Sequence, residues 1–354
     1  MRGHAILAKK GCTMDKVIRF GIIGSGGISY AHATAIKSVP GTQLVACSDI
    51  IPERAQKLAE KFGCEWYDSN EKLVERDDID AINVCTPSGL HAEHGLLAAQ
   101  AGKHVICEKP FDLSLKKIDR LIRACRKKNL KLTCIFQYRF SKSGRLIKQA
   151  VDEGRFGNLV FATAECKWYR AQSYYDSGDW RGTWALDGGV LSNQAIHYID
   201  QLCWLAGDWE RIEYAKVETR ARDMEAEDSA IAVVMFKNGA WGVIQGSTLA
   251  YPGLSGRIEI CGTKGSAVHN GDTLMHWKIE GEEQAPDVEA QASSVATSDP
   301  AIAALKGHDA QVADFVLAIR EGRDPYIKPE DARRPVALLR AIYKKALGRQ
   351  PLPD

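Results

Sequence analysis

Apolar runs and helix-compatible segments alternate along the first part of the chain. The predicted strands are 17–23, 43–48, 65–67, 81–85, 104–107 and 131–136, and the predicted helices between them are 29–38, 52–62, 70–75, 91–101 and 114–128. Strands that alternate with helices indicate a doubly wound parallel sheet, in which ligands bind beyond the carboxyl ends of the strands. We therefore expect an α/β domain whose functional residues follow its strands.

The pattern changes after residue 140, where strands begin to follow one another. A helix is predicted at 144–153, a strand at 159–167, and a helix at 190–206 after a polar loop rich in aromatic residues. Further strands are predicted at 213–220, 229–237, 239–247, 256–261, 265–269 and 273–278, a surface loop at 281–299, and two helices at 308–321 and 328–347. Turn residues between the strands favour an α+β domain with a large, open, mostly antiparallel sheet.

The length of 354 residues also suits two domains better than one core. We predict a leader at 1–16 that is poorly ordered, a first domain at 17–140 and a second domain at 141–354. The apolar stretch of the leader is too short for a signal peptide, and either Met1 or Met14 could be the natural start.

Composition narrows the possible partners and the compartment. The 47 basic and 45 acidic residues give a net charge of +2, which provides no electrostatic reason for a nucleic-acid or anionic-membrane partner. No apolar stretch approaches the length of a membrane span. The ten cysteines show no Cys-x-x-Cys spacing, so we expect reduced, mostly buried thiols in a cytoplasmic protein with a small-molecule ligand.

A glycine-rich turn follows the first predicted strand and opens the first predicted helix. Gly24 permits a tight turn, and Gly26 lets the backbone approach a pyrophosphate, whose charge would lie at the helix N-terminus beside Gly27 and Ile28. Ser29 replaces the third glycine of the usual dinucleotide pattern. The order of strand, turn and helix predicts a Rossmann unit.

Asp49 follows the second strand, 25 residues after Gly24. A carboxylate at this point suits the ribose diol of NAD and would repel the 2′-phosphate of NADP. Arg54 lies near enough in sequence to keep NADP as the less favoured alternative.

Four motifs in this order resemble the Gfo/Idh/MocA oxidoreductases, the relatives of glucose-fructose oxidoreductase and inositol dehydrogenase. The motifs are 21–26 (Gly-Ile-Ile-Gly-Ser-Gly), Thr86-Pro87 followed by His91, 102–110 ending in Cys-Glu-Lys-Pro, and 193–200 (Asn-Gln-Ala-Ile-His-Tyr-Ile-Asp). The resemblance spans nearly all of 17–352. It implies oxidation or reduction of a sugar or cyclitol hydroxyl, a cis bond before Pro110, and a homodimer or homotetramer formed through the C-terminal sheet.

Oxidation of a secondary hydroxyl needs a base for its proton and a donor for the developing alkoxide. His197 is predicted as the general base because imidazole titrates near neutrality. Lys109, at the end of a strand, is predicted as the alkoxide stabiliser or an alternate base. Asn193 stands where many relatives have aspartate, so we assign it substrate positioning; Asp200 is expected to be structural.

The remaining predictions concern ligand contacts. The expected cofactor residues are Gly24, Gly26, Gly27, Ile28, Asp49, Thr86, Pro87, His91, Glu108 and Lys109. The expected sugar-binding residues are Lys109, Tyr138, Arg139, Trp168, Arg170, Tyr175, Trp180, Arg181, Asn193 and His197, since aromatic faces stack on sugars and arginine binds carboxylate or phosphate. Each aromatic residue could instead pack one domain against the other, and His197 could be a core histidine.

Alternatives to a simple dehydrogenase stay open. The His-Ala-Glu-His run at 91–94 places two histidines three residues apart, but it is not the His-Glu-x-x-His zinc pattern, so no metal is predicted. The leading function is an NAD-dependent dehydrogenase of a glycoside, nucleotide sugar or cyclitol. A redox-neutral enzyme that cleaves glycosides through a 3-keto intermediate is the second possibility, and a non-catalytic nucleotide sensor is the third.

Overall fold

The first sheet has six parallel strands whose order reverses beside the first strand. The computed structural model describes residues 16–271, 273–283, 286 and 307–354, so the leader prediction for 1–16 falls outside it except at Lys16. The sheet order is β3-β2-β1-β4-β5-β6. The strands are β1 (Ile18–Ile23), β2 (Thr42–Ser48), β3 (Glu65–Tyr67), β4 (Ala81–Val84), β5 (His104–Cys107) and β6 (Leu132–Cys134). The switch between β1 and β4 opens a crevice at the carboxyl ends of the strands.

Helices cover both faces of this sheet, as the Rossmann prediction required. They are α1 (Ser29–Ser38), α2 (Pro52–Phe62), α3 (Asn70–Val74), α4 (His91–Gln100) and α5 (Leu115–Lys127). Local sequence explains several ends: Pro52 begins α2 with a preset φ, Gly63 ends it at φ 71°, and the Ser114 side chain caps α5 by accepting a hydrogen bond from Lys117 N.

The second sheet is mixed and mostly antiparallel, with the order β13-β12-β11-β7-β10-β9-β8. Its strands are β7 (Leu159–Lys167), β8 (Trp209–Glu218), β9 (Ser229–Phe236), β10 (Trp241–Ser247), β11 (Arg257–Gly262), β12 (Gly265–Asn270) and β13 (Thr273–Ile279). Among the described pairings of this second sheet, only that of β7 with β10 is parallel. Side chains alternate along β9, where Ala232, Val234 and Phe236 are buried and Ile231 faces outward.

The second domain also contains α6 (Lys142–Asp152), α7 (Gln172–Tyr175), α8 (Val190–Asn193) and α9 (Ile196–Ala206). The prediction of one continuous helix over 190–206 is wrong. A turn separates α8 from α9, and within it Ala195 N donates to the Val190 carbonyl five residues back. This wider spacing of the hydrogen bond interrupts the helix before His197.

The chain returns to the first domain near its C-terminus. The helix His308–Glu321 packs on α1, and its Val312, Phe315 and Val316 share one buried cluster with residues of β1 such as Phe20. The last helix, Pro329–Leu347, packs on α9, α5 and β8. Residue 140 lies between the last strand of the first sheet and the first strand of the second, and the last helix contacts β6 of the first sheet as well as β8 of the second.

Two further predictions concern cysteines and membranes. The nine described cysteines are free thiols and most are buried, while Cys12 lies outside the described residues. None of the described helices has the length and apolar character needed to cross a membrane. The loop predicted at 281–299 falls almost wholly outside the described residues.

Gly24 follows β1 and lies against the backbone that follows β4. Its φ is 89°, and a Cβ built on it would lie 2.8 Å from the carbonyl carbon and oxygen of Cys85. Gly63 also has a positive φ of 71°, but a Cβ there would meet nothing within 4 Å. A side chain at Gly24 would therefore meet both backbone strain and steric overlap, whereas a side chain at Gly63 would meet strain alone.

We predict that Gly24→Ala lowers the free energy of unfolding by about 2–4 kcal/mol, because strain and overlap with backbone add. The matched Gly63→Ala variant should lose only about 1–2 kcal/mol, from strain alone. Urea denaturation followed by circular dichroism measures both values. Equal losses in the two variants would contradict the close approach at Gly24.

Candidate functional site

The glycine turn forms a polar cradle at the switch between β1 and β4. Cβ atoms built on Gly26 and Gly27 would meet nothing within 4 Å, so the space above the turn is open. Ile28 directly precedes α1, and no side chain accepts a hydrogen bond from the backbone N–H groups at the start of this helix. Uncapped backbone N–H groups at a helix N-terminus favour an anion such as a pyrophosphate.

Asp49 lies directly beside this turn. Its Oδ2 accepts a hydrogen bond from Ser25 N at 2.8 Å, and its Oδ1 accepts one from Ile51 N at 2.9 Å. The carboxylate is therefore fixed at the end of β2 next to the glycines. Together with the open cradle, this arrangement fits the pyrophosphate and ribose of the predicted NAD.

Thr86, Pro87 and His91 form the next edge of the crevice, after β4. The buried His91 ring places Nδ1 at 2.6 Å from the Pro110 carbonyl and Nε2 at 2.8 Å from the Thr86 carbonyl. His91 therefore ties the end of β4 to the end of β5. The Lys109–Pro110 bond is cis, as the resemblance implied.

Glu108 is held by donors on three separate segments. Its Oε1 lies 2.9 Å from His32 Nε2 and 3.2 Å from His308 Nε2, and its Oε2 accepts a hydrogen bond from Lys109 N. Asn83 Nδ2 lies 2.8 Å from His32 Nδ1, which leaves the His32 Nε2–H to donate to the carboxylate. Burial raises the pKa of Glu108, but the bonds from His308 and His32 outweigh this and hold its pKa well below the ordinary value.

The His32, Glu108 and His308 ligand atoms lie within 4.8 Å of one another, which is close enough to hold a cation. Hydrogen bonding already accounts for the cluster, because two imidazoles face one carboxylate whose other oxygen is also bonded. The cluster joins α1, the end of β5 and the helix His308–Glu321. The nearby His94 has its Nδ1 at 3.0 Å from Thr86 Oγ1.

Lys109 connects the end of β5 to the break between α8 and α9. Its Nζ donates to the Asn193 carbonyl at 3.0 Å and lies 3.5 Å from Asn193 Oδ1. Burial lowers the pKa of Lys109; the Glu108 and Asp187 carboxylates oppose this shift, and Arg181 and Arg170 add to it. The ammonium therefore loses its proton more readily than an exposed lysine does.

His197 lies two residues into α9 and is buried. Its Nδ1 has no hydrogen-bond partner among the described residues, and the Tyr138 ring lies 4.9 Å from its ring. Burial and, after it, the Lys109 charge hold the pKa of His197 well below its ordinary value. The imidazole is consequently neutral at physiological pH.

The structure gives Arg139 a different partner from the predicted sugar. Its Nε and Nη2 donate to the two carboxylate oxygens of Asp200 at 2.8 and 2.6 Å, and both side chains are buried. This two-point ion pair occupies the guanidinium, so Arg139 is corrected to a structural residue. Asp200 has the structural role that we expected, and it does not orient His197.

Two arginines and their aromatic neighbours form one wall beside Lys109. Arg170 is buried under Trp168 and Tyr174, with its guanidinium carbon 5.2 Å and 5.6 Å from the two ring centroids. The guanidinium carbon of Arg181 lies 4.2 Å from the ring centroid of Tyr174 and 4.6 Å from that of Trp180. The wall therefore combines positive charge with the aromatic surface that the sequence indicated.

Not every aromatic residue of this loop faces ligand space. Tyr175 is buried and donates a hydrogen bond to Thr248 Oγ1 at 2.9 Å, which makes it part of the core rather than a sugar contact. Trp168 makes an edge contact with the buried Tyr198 at 6.0 Å. Trp180 and Tyr138 are partly exposed and stay sugar-binding predictions.

Three residues that contact the site are not marked by any pattern in the sequence. His32 lies inside α1 and His308 begins a helix 200 residues after Glu108, so no local motif joins them. The third residue is Asp187, which precedes α8. Its Oδ1 accepts a hydrogen bond from Asn193 Nδ2 at 2.6 Å. This contact exists only in the folded turn, so no sequence pattern predicts it.

Comparison with known proteins places the two domains in one family. Residues 18–136 match the GFO_IDH_MocA model, described as an oxidoreductase family with an NAD-binding Rossmann fold, and residues 145–268 match the GFO/IDH/MocA C-terminal domain. The two matches cover the crevice and the loop that leads to His197. They confirm the predicted dinucleotide unit and the predicted NAD.

Several individual proteins that are similar to this chain are dehydrogenases. The WlbA dehydrogenase from Bordetella pertussis, solved in complex with NADH and UDP-GlcNAcA, is 34% identical, with a TM-score of 0.83 over 96% of this chain and 99% of that one. Myo-inositol 2-dehydrogenase from Thermotoga maritima is 31% identical over 70% of this chain and 74% of its own length. Levoglucosan dehydrogenase from Pseudarthrobacter phenanthrenivorans is 26% identical over 72% and 73%. The predicted dehydrogenase class is thereby confirmed, and the chain belongs to the Gfo/Idh/MocA oxidoreductases.

Proposed function

We propose that this protein oxidises a secondary ring hydroxyl of a carboxylate-bearing sugar, preferably one linked to a nucleotide. The main support is the meeting of Lys109, Asn193 and His197 beneath a wall that carries Arg170 and Arg181. A base and a cation over one crevice suit removal of a hydride and a proton from one carbinol, and the extra positive charge suits an anionic sugar.

The chain's own groups divide the work of the reaction. The buried, neutral His197 takes the hydroxyl proton. Lys109 donates from Nζ to the same oxygen and stabilises its developing charge, while Asn193 orients the ring through its amide. NAD, when bound, supplies the acceptor for the hydride. The partly buried position of Lys109 keeps water away and strengthens these electrostatic contacts.

Arg170 is the group best placed to recognise a carboxylate. Its Nη1 donates to the Tyr169 carbonyl at 2.9 Å, but its buried Nε has no partner among the described residues. A buried donor without an acceptor is costly, and an incoming carboxylate would satisfy it. The WlbA dehydrogenase complex contains UDP-GlcNAcA, a nucleotide sugar with such a carboxylate, which supports this substrate class.

A substrate panel tests the function. Purified protein with NAD+ should produce NADH with a nucleotide-linked uronic acid faster than with the matching neutral nucleotide sugar, a free inositol or an anhydrosugar. Release of an aglycone without net NADH would favour the glycoside-cleaving alternative. Binding of NAD without any turnover on the whole panel would favour the sensor.

The second prediction concerns the two catalytic groups. Lys109→Ala and His197→Ala should each lower kcat by about 100- to 10,000-fold while the Kd for NAD changes little, because both act on the hydroxyl. Steady-state kinetics and calorimetric titration of NAD measure the two effects. The exposed Lys116→Ala and His276→Ala variants are the controls. A near-normal kcat in either test variant would remove that residue from its role.

The third prediction concerns the carboxylate. Arg170→Ala should raise KM for the uronic acid substrate by about 10- to 100-fold, the value of one charged hydrogen bond, and should leave KM for the neutral analogue almost unchanged. Arg211→Ala, an exposed arginine on β8, serves as the control. An equal rise in KM for both substrates would indicate general damage to the pocket and would reject the assignment.

The open face of the second sheet supports a homo-oligomer. Phe161 and Met235 flank Trp241 across neighbouring strands, and Phe161, Trp241, Ile231 and Tyr214 are between 41% and 51% exposed. Such a flat apolar face is typical of contacts between identical subunits. We infer that two or four copies associate through this face.

The fourth prediction follows from that face. Trp241→Glu should dissociate the oligomer to a monomer, because a charge would be buried against an apolar partner. Light scattering coupled to gel filtration measures the mass. Leu317→Glu, an equally exposed apolar position outside the sheet, should leave the mass unchanged. An unaltered mass for Trp241→Glu would exclude this face as the interface.

A further inference from the structure

The Asn193 side chain stands between Lys109 and a buried carboxylate. Its Nδ2 donates to Asp187 Oδ1 at 2.6 Å, while its Oδ1 lies 3.5 Å from Lys109 Nζ. The three groups therefore form one line of contacts from the glycine turn before α8 to the ammonium at the end of β5.

The direction of the Asn193 amide follows from the chemistry of Asp187. A carboxylate only accepts hydrogen bonds, and the second oxygen of Asp187 already accepts one from Gly182 N at 2.9 Å. The Asn193 amide must consequently turn its NH₂ towards Asp187 and its oxygen towards Lys109. Lys109 Nζ can only donate a hydrogen bond, so it favours the same orientation.

Asp187 itself is rigidly held. Its N–H donates to the Thr183 carbonyl, its carbonyl accepts a hydrogen bond from Ser192 Oγ, and its side chain is almost completely buried. Gly188 follows with φ 71°, which lets the chain turn sharply into α8. A fixed carboxylate of this kind can position another group accurately.

We propose that Asp187 is a positioning residue for Lys109, acting through the Asn193 amide, whose oxygen it keeps directed at the ammonium. This inference rests on the proposed function, in which Lys109 donates to the substrate oxygen. Asp187 does not touch substrate; it sets the direction of Nζ.

The charges around Asp187 give this arrangement a pH dependence. Burial raises the pKa of Asp187 to about 6, and Gly182 N, Arg181, Asn193 and Lys109 partly oppose that rise. The other titratable groups that sense its charge are Glu227, Tyr174, Tyr175 and Tyr343. Burial raises the pKa of Glu227 to about 7 and the pKa values of the three tyrosines above their ordinary value.

The charge of Asp187 sets the direction of this pH dependence. Above pH 6 Asp187 is ionised, accepts from Asn193 and raises the pKa of Lys109. Below pH 6 it gains a proton, becomes a possible donor and loses its charge. Because the pKa of His197 lies well below its ordinary value and that of Glu227 is about 7, a decline of kcat as the pH falls through about 6 is expected from Asp187.

Asp187→Asn tests the idea with little risk to the fold. The new Oδ1 can still accept from Gly182 N, but the new NH₂ then faces the NH₂ of Asn193 and forces that amide to reverse. We expect kcat to fall by about 10- to 100-fold, as for other residues that orient a catalytic group. The decline of kcat near pH 6 should disappear, and KM should change less than kcat.

An exchange variant separates positioning from simple packing. In Asp187→Asn with Asn193→Asp, the new amide at 187 accepts from Gly182 N and donates to the new carboxylate at 193, which then faces Lys109. This double variant should recover most of the kcat lost in the single variant. Asp179→Asn, an exposed acid of the same loop, is the control and should behave as wild type.

A readout without substrate distinguishes this inference from the proposed function. The pH dependence of Lys109 acetylation, followed by mass spectrometry, should move to lower pH in Asp187→Asn and return in the exchange variant. If the wild type oxidises no sugar but this shift occurs, the proposed function fails and the positioning role stands. Unchanged acetylation of Lys109 in Asp187→Asn, or a double variant no better than the single one, would overturn the inference.

Discussion

The hydrogen bond from Lys109 to the Asn193 carbonyl is the contact on which the proposed site depends, because it joins the segment after β5 in the first domain to α8 in the second. The carbonyl is available since the turn at Gln194–Ala195 interrupts the helix, and a regular helix would use it for its own backbone. The interruption between α8 and α9 thus lets the ammonium bond four residues before His197. The Rossmann order and the second sheet supply the scaffold for this contact.

Burial determines how these groups titrate. Lys109 and His197 each have a lowered pKa, so the same enclosure that excludes water keeps the imidazole neutral and weakens the hold of the ammonium on its proton. Two carboxylates act on Lys109 in different ways. Glu108 fixes its backbone N–H, and Asp187 acts on the side chain through Asn193.

Patterns along the chain were sufficient for the fold class. The glycine turn, Asp49, Lys109 and His197 each follow a predicted strand or lie on a predicted helix, so local periodicity gives their places in the fold, and their roles stay predictions. Arg139 and Tyr175 were misassigned because their partners, Asp200 and Thr248, are distant in sequence. The break at Gln194–Ala195 was missed because neither glycine nor proline marks it. Contacts between residues that are distant in sequence, and an irregular hydrogen bond within a helix, produce no periodic pattern of apolar residues.

The return of the His308–Glu321 helix to the first domain bears on how the protein is made. Phe315 and Val316 complete the apolar layer over α1, and His308 completes the ring of donors around Glu108. During synthesis, residues 17–140 leave the ribosome long before these side chains exist. Until almost the whole polypeptide has emerged, the nucleotide-binding domain therefore lacks the apolar side chains that cover α1. Glu108 also lacks one of its hydrogen-bond donors during that time.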